Sequence, residues 1–164
     1  MSRSGELRIE RLGPEDWQRL RAIRLRALAD APDAFSSLYA ESAAEPDEFW
    51  HRRIVDPGFV QLLASDGRDL GMAVVGPGRD GQGGLYGVWV DPSARGLGVG
   101  DALMRAAIEV ARKAGYERIY LEVANDNAAA IALYARFGWE PTGVLGAMPP
   151  PREHILEHER VLVL

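Results

Sequence analysis

The amino-acid sequence predicts an α/β or α+β fold built on a mixed β-sheet. Two observations support this class: strand-like alternation interleaves with helical periodicity, and glycine, proline or aspartate residues separate the segments. The chain has 164 residues, of which 47% are hydrophobic and 26% are charged. This length and composition suit one domain with a sizeable core, and we expect residues 1–164 to form it.

The strands are predicted from short apolar or alternating runs that end at turn residues. The first run alternates with a period of two, and a glycine-rich connection over residues 76–84 precedes the fourth strand. The predicted strands are Leu7–Leu12, Phe59–Ala64, Leu70–Val75, Leu85–Val90, Arg118–Val123, Trp139–Val144 and Ile155–Leu164.

The helices are predicted from apolar stripes and from residues typical of helix ends. The clearest has an apolar face and ends at Gly115, where a left-handed C-cap residue belongs. The segment Phe35–Glu45 is expected to be a loop. The predicted helices are residues 13–30, Pro46–Val55, Gly98–Ala114 and Asp126–Phe137.

Composition and charge exclude several classes of function. The chain has no cysteine, which excludes disulfides, thiolate metal sites and a cysteine nucleophile, and which favours a cytoplasmic setting. The net charge of −5 disfavours general nucleic-acid binding, because phosphate contacts supply most of that affinity. No apolar run is long enough to span a bilayer, and the polar start Met1–Glu10 is not a secretory signal. We expect a monomer or homodimer with no nucleic-acid or membrane partner.

The most informative stretch is the glycine-rich segment between the fourth strand and its following helix, Arg95–Gly100. A helix N-terminus carries unpaired N–H groups and partial positive charge, and glycines let a phosphate approach the backbone. Arg95 adds a cation, so the segment predicts a phosphate or pyrophosphate ligand. A Walker loop is excluded because no Gly-Lys-Ser/Thr is present, and the dinucleotide fingerprint fails after Gly100. The alternative is a flexible turn that binds nothing.

The sequence Arg95-Gly96-Leu97-Gly98-Val99-Gly100, after Val88-Trp89-Val90-Asp91-Pro92, resembles the hallmark of the GNAT superfamily of acetyl-CoA-dependent N-acetyltransferases. The resemblance implies a GNAT-like mixed, mostly antiparallel twisted sheet of about seven strands flanked by about four helices. It also implies acetyl-CoA as the acetyl donor, with its pyrophosphate on the loop amides and its pantetheine arm along the preceding strand. The implied cofactor-binding residues are Val88, Trp89, Val90, Arg95, Gly96, Leu97, Gly98, Val99, Gly100, Asp101, Asn127 and Tyr134.

A second segment, Leu121–Tyr134 with Phe137-Gly138-Trp139, resembles another signature of that family. The resemblance gives Tyr134 the role of general acid, since a phenol with a reference pKa of about 10 can protonate a thiolate leaving group. The alternative is a core aromatic on an apolar helix face. By the same resemblance Asn127 contacts the pantetheine arm or nearby backbone, and its alternative is simple helix capping.

The general base is predicted by a similar comparison. Many relatives carry a glutamate on the fourth strand, but Leu85–Val90 contains no carboxylate. Glu122 lies on the fifth strand, twelve residues before Tyr134. This arrangement resembles the bacterial ribosomal-protein alanine acetyltransferases, in which the matching glutamate is the base. The alternatives are a structural role for Glu122 or a base at Glu41 or Glu45. An oxyanion donor is expected among the backbone N–H groups of Val88–Val90.

The acceptor is expected to be a primary amine on a small molecule or a protein, which attacks the thioester directly in a ternary complex. In GNAT relatives the region after the first helix walls the acceptor site, so Phe35, Tyr39 and Glu41 are the candidate substrate-binding residues. Phe49 and Trp50 either line this site or pack on the sheet. The loop Leu145–Arg152 is another candidate wall.

Two rival functions use other features. His154-Ile155-Leu156-Glu157-His158 fits the inverted zincin pattern, which requires a helix and a third ligand. The segment alternates like a strand, so we expect no metal. The second rival is a non-catalytic acyl-CoA sensor, which would need Arg95–Gly100 but neither Tyr134 nor Glu122. The presence of both residues favours an enzyme.

Overall fold

The computed structural model describes residues 5–164, so the first residues of the polar N-terminal segment lie outside the described part of the chain. The strands alternate with helices as the periodicity predicts. The strands are β1 (Arg8–Arg11), β2 (Val60–Ser65), β3 (Asp69–Pro77), β4 (Gly83–Val90), β5 (Arg118–Ala124), β6 (Glu140–Ala147) and β7 (Leu156–Val163). The α-helices are α1 (Trp17–Asp30), α2 (Tyr39–Ala43), α3 (Asp47–Val55), α4 (Val99–Lys113) and α5 (Ala128–Arg136).

The strands form one seven-stranded sheet in the order β1-β2-β3-β4-β5-β7-β6. Only β4 and β5 are parallel; the other neighbouring pairs are antiparallel. The predicted mixed, mostly antiparallel sheet is therefore confirmed. The last strand, β7, is inserted between β5 and the edge strand β6.

Two hydrophobic cores lie on opposite faces of this sheet. Successive residues of a strand point to opposite faces, and Leu62 belongs to one core whereas Leu63 belongs to the other. The first core is covered by the apolar face of α4, which buries Leu103 completely. The second is covered by α1 and α3 and contains Trp50. The helices thus hold both faces of the sheet and fix the position of the strand ends.

One predicted loop is wrong. Within the expected loop Phe35–Glu45 the structure has the single-turn helix α2, so residues 5–164 contain five α-helices where four were expected. Tertiary contacts support this turn: Ser42 is buried, and Arg21 on α1 donates a hydrogen bond to the carbonyl oxygen of Ala43 at 3.4 Å. A helix of this length has no periodicity that a sequence pattern could reveal.

Within residues 5–164, no helix combines the length and the apolar character that crossing a membrane would require.

Candidate active site

The site is built around a gap between the two parallel strands. β4 and β5 pair only at Gly83 with Ile119 and Gly84 with Tyr120. Beyond these pairs their facing edges have no ladder partner in residues 5–164, so their N–H and C=O groups remain available. β4 carries an extra residue opposite β3 at this point, and Gly87 has a φ of +59°. This β-bulge turns the end of β4 away from β5 and opens the gap.

The glycine-rich segment lies at the carboxyl end of β4 and leads into α4. Gly96 and Gly98 have φ values of +78° and +84°, a region that side chains with a Cβ rarely adopt. Gly98 is the N-cap of α4, and no side chain caps this helix in residues 5–164. The first N–H groups of α4 are therefore free to bind an anion.

A cavity of about 1030 Å³ extends from this helix end to the gap. Most of the predicted cofactor-binding residues line it, but Leu97 is 72% exposed and lies outside it. Asp101 also lines the cavity and forms an ion pair with Arg136 at 2.6 Å. The predicted residues that line it are Val88, Trp89, Val90, Arg95, Gly96, Gly98, Val99, Gly100, Asp101, Asn127 and Tyr134.

Two of these residues hold Asp30 at the end of α1. The guanidinium of Arg95 forms an ion pair with Asp30, and the indole Nε1 of Trp89 donates to the same carboxylate oxygen at 2.9 Å. The side chain of Trp89 is buried in the second core, and Trp89 also lines the cavity. Arg95 is half exposed, and a phosphate ligand would compete with Asp30 for its charge.

A second cavity, of about 830 Å³, meets the first at the gap. It extends towards α1, α3 and the β5–β7 wall. We call it the acceptor cavity and the first one the donor cavity. The residues that line both are Ala34, Val88, Ala124, Asn127, Ala130 and Tyr134.

Tyr134 on α5 lies at this junction and is only 6% exposed. Its ring packs against Trp139 with centroids 5.9 Å apart. Burial raises the pKa of the Tyr134 phenol to about 12, because ionisation would place a charge in a poorly solvated site. The phenol is therefore a proton donor at neutral pH.

Glu122 on β5 is exposed to the acceptor cavity, whereas the next residue, Val123, packs in the first core. In the β5–β7 ladder Glu122 stands opposite Glu159, and Ala124 stands opposite Glu157. Facing residues share a side of the sheet, so three carboxylates occupy one wall of the acceptor cavity.

Glu157 is a candidate that the sequence did not single out as a base. Burial raises the pKa of its carboxyl, and the negative charge of Glu122 raises it further, against the opposing charge of Arg152. Glu157 stands opposite Ala124, a residue of the junction, and so lies closer along the ladder to the gap than Glu122 does. Only the pairing of β7 with β5 reveals this, and a single sequence does not show which strands pair.

Asn127 is the N-cap of α5, and its Oδ1 accepts a hydrogen bond from the N–H of Ala130 at 3.3 Å. Asn127 therefore caps α5, which was the alternative to a contact with the pantetheine arm. Asn127 also lines both cavities, which keeps it within reach of a ligand in the gap.

Of the three predicted substrate-binding residues, one lines the acceptor cavity and two do not. Phe35 is buried and lines the acceptor cavity. Tyr39 and Glu41 lie on α2, are exposed, and are not among the residues that line either cavity. Glu45 also lies outside both cavities, and Trp50 packs in the second core.

Arg152, in the loop before β7, joins that loop to the segment after α1. It donates hydrogen bonds to the carbonyl oxygens of Pro32 at 2.6 Å, Phe35 at 2.9 Å and Ser36 at 3.0 Å. This segment borders the donor cavity at Pro32 and the acceptor cavity at Phe35. None of the residues 145–152 is among those that line either cavity, so the prediction that Leu145–Arg152 is a wall of the acceptor site is wrong. Arg152 instead positions the segment that borders both cavities.

The zincin pattern falls largely on the strand β7. Adjacent residues of a strand point to opposite faces, so His158 and Glu157 point apart, whereas the pattern requires a helix that brings its ligands together. Within the described residues, no group of three His, Asp or Glu side chains could hold a metal ion.

Residues 17–139 match the sequence profile of the Acetyltransferase (GNAT) family. The chain is 32% identical over 127 residues to a mycothiol acetyltransferase of Beutenbergia cavernae, an alignment that covers 75% of this chain and 41% of the relative. The chain thus spans less than half the length of that relative.

Solved structures agree with the family match. The ribosomal-protein-alanine N-acetyltransferase of Brucella melitensis is 25% identical, has a TM-score of 0.80, and is matched over 96% of this chain and 99% of its own. yncA of Salmonella typhimurium, determined with its cofactor acetyl-CoA, has the same fold, with a TM-score of 0.77 at 20% identity and coverage of 96% and 94%. The bulged β4, its gap with β5 and the glycine-rich entry to α4 thus occur in a chain that belongs to the GNAT family of acetyltransferases.

Proposed function

We propose that this chain is an N-acetyltransferase that moves the acetyl group of acetyl-CoA directly to a primary amine. The observation that carries this proposal is that two cavities meet at the β4–β5 gap and that Tyr134 lines both of them. A donor entering from one side and an acceptor entering from the other would meet beside a phenol that is protonated at neutral pH.

The donor cavity fits acetyl-CoA in shape and in chemistry. The left-handed glycines and the uncapped N-terminus of α4 offer N–H groups for a pyrophosphate, with Arg95 as a nearby cation. The unpaired edge of β4 beyond Gly84 offers backbone groups that an extended pantetheine arm with its amides can bind. Acetyl-CoA supplies an activated acetyl thioester when bound.

Three groups of the chain are proposed to assist the transfer. Tyr134 donates a proton to the departing sulfur. A backbone N–H within Val88–Val90 donates to the carbonyl oxygen of the acetyl group, where negative charge develops during attack. Glu122, directly or through a water, accepts the proton of the amine, and its position on the acceptor wall supports this role.

The relatives named above do not identify the acceptor of this chain. Those named above are a mycothiol acetyltransferase and a ribosomal-protein-alanine N-acetyltransferase, which differ in their acceptors. The acceptor class is therefore proposed only as a primary amine, on a small molecule or a peptide. We also expect a cytoplasmic setting, which a cysteine-free sequence favours, and a monomer or homodimer.

The test is a panel of primary amines incubated with acetyl-CoA and the protein, read by release of the free CoA thiol and by mass spectrometry of the product. We expect an acetylated amine in amounts that match the released thiol. Thiol release without an acetylated amine would mean hydrolysis. Tight binding of acetyl-CoA with no release for any amine would favour the non-catalytic sensor.

A further inference from the structure

Two arginines that line the acceptor cavity have no anionic partner in the described residues. Arg24 on α1 and Arg53 on α3 both face this cavity. Neither forms an ion pair with a carboxylate of residues 5–164. By contrast, Arg19 and Arg26 on the same helix as Arg24 hold carboxylates at 2.8 Å and 2.5 Å. Arg79, the third arginine that lines this cavity, is paired with Glu159 at 3.1 Å. Among the arginines that line the cavity, Arg24 and Arg53 are therefore the two without a carboxylate partner in residues 5–164.

Aromatic rings hold both guanidinium groups in place. The Cζ of Arg24 lies 5.2 Å from the centre of the Phe35 ring, and that of Arg53 lies 5.3 Å from the centre of the Phe49 ring. A ring face stabilises the cation but satisfies few of the five N–H donors of each guanidinium. The donors left over are available to a ligand in the cavity.

The two charges lie close enough to repel each other. Burial, and to a smaller extent the charge of Arg53, lower the pKa of Arg24 to about 10, so Arg24 is still protonated at neutral pH. Burial also lowers the pKa of Arg53. Two like charges in a partly desolvated cavity destabilise each other, and an anion bound between them would relieve that repulsion.

The carboxylates of the cavity do not neutralise this pair. Asp56 is exposed, and its Oδ1 accepts the N–H of Gly58 at 2.9 Å. Glu159 on the β5–β7 wall is held by Arg79 at 3.1 Å. The cavity therefore has a positive side at α1 and α3 and a negative side at β5 and β7.

The positive side lies beside the reaction point. A Cβ built on Gly87 would lie 2.7 Å from Nη1 of Arg24. Gly87 precedes Val88, which lines both cavities at their junction. An anion bound by Arg24 would thus be close to the amine that accepts the acetyl group.

We infer that Arg24 and Arg53 form an anion-binding subsite and that the amine acceptor carries a carboxylate bound there. The planar forks of two guanidinium groups match a carboxylate in charge and in geometry. The ammonium end of such an acceptor would face Glu122 and Glu157 on the opposite wall. This inference rests on the proposed function, whose acceptor class it narrows to amines that bear an acid.

The first test compares matched acceptors. A panel of α-amino acids and dipeptides, each as the free acid and as the carboxamide, is assayed by thiol release from acetyl-CoA. We expect kcat/KM to be about ten- to a hundredfold higher for the acid, the usual effect of hydrogen bonds to a charged group. Amidation lowers the pKa of a neighbouring amine, so more of the carboxamide than of the acid has a neutral, nucleophilic amine. A preference for the acid therefore cannot come from amine reactivity and reports binding of the carboxylate. Equal values for acid and amide would overturn the inference.

The second test uses Arg24→Gln and Arg53→Gln, with Arg52→Gln as the matched control. Arg52 neighbours Arg53 on α3 but is exposed and lies 3.7 Å from Glu48. We expect each of the two subsite variants to reduce the acid-to-amide ratio about tenfold or more, and Arg53→Lys to restore part of it. If Arg24→Gln does not fold, Arg53→Gln decides alone. An equal reduction in Arg52→Gln would overturn the inference.

A binding measurement separates this inference from the proposed function. N-acetylglycine and N-acetylglycinamide are titrated into the protein by calorimetry, which requires no turnover. If the acid binds more tightly and this preference is lost in Arg53→Gln, the subsite is supported even when no amine is acetylated. Failure of every amine as an acceptor would refute only the proposed function. Equal binding of the two probes would overturn the subsite even if amines are acetylated.

Discussion

The glycine loop permits a test that separates a loss of stability from a loss of binding. Gly98 at the start of α4 and Gly115 just after its end have φ values of +84° and +87°. At both positions a Cβ would meet no atom of residues 5–164 within 4 Å. Alanine at either position therefore suffers the same backbone strain, about 1–2 kcal/mol for an L-residue in the left-handed region. We expect the melting temperature of both variants to fall by about 2–4 °C for each kcal/mol of this strain.

The two variants are expected to differ in their affinity for acetyl-CoA. The Cβ of Gly98→Ala enters the space beside the free N–H groups of α4, where the pyrophosphate is proposed to lie. Loss of one hydrogen bond to a charged phosphate weakens binding about ten- to a hundredfold, whereas Gly115→Ala binds like wild type. Calorimetric titration at a temperature well below both melting points measures the difference. Equal affinity of the two variants would refute the placement of the pyrophosphate.

Three further predictions concern the acid, the base and the loop contact. Tyr134→Phe should lower turnover about 10²–10⁴-fold with an unchanged circular dichroism spectrum. Because burial raises the pKa of Tyr134 to about 12, ionisation of the phenol should cause no fall in the wild-type rate below a pH of about 10. Glu122→Gln should lower the rate at neutral pH by a similar factor, and part of the rate should return at high pH, where more of the amine is already neutral. Substitution of the exposed Glu117 by Gln is the control, and equal rates for the two variants would exclude Glu122 as the general base. Arg152→Gln removes three hydrogen bonds to carbonyl oxygens and should lower the free energy of unfolding by about 1–3 kcal/mol in urea titrations; an unchanged midpoint would contradict the role assigned to that contact.

The strands and long helices were predictable because their periodicity is local. The alternation of β1 and the apolar stripe of α4 are visible within a short window of the sequence. All seven strands and the helices α1, α3, α4 and α5 overlap their predicted segments. The entry to α4 was predictable because glycines at left-handed positions are part of the motif itself. The helix α2 was missed because one turn held by tertiary contacts carries no such signal.

The acceptor cavity was largely invisible to sequence reasoning. Arg24 and Arg53 belong to different helices and become neighbours only because both helices cover the same face of the sheet. Glu157 reaches the cavity through the register of β7 on β5, and the sequence pattern drew attention to it only as part of a zinc motif. The predicted contacts Tyr39 and Glu41 fall outside because the short helix α2 carries them away from the cavity lining.

The central claim is that the gap between β4 and β5, with the N-terminus of α4, holds acetyl-CoA. Backbone amide NMR on the labelled protein, titrated with acetyl-CoA, tests it most directly because every affected amide is located along the chain. We predict the largest shift changes within Gly96–Asp101 and Val88–Val90, with smaller ones at Asn127. Saturating shifts elsewhere on the surface, or none at millimolar acetyl-CoA, would contradict the claim.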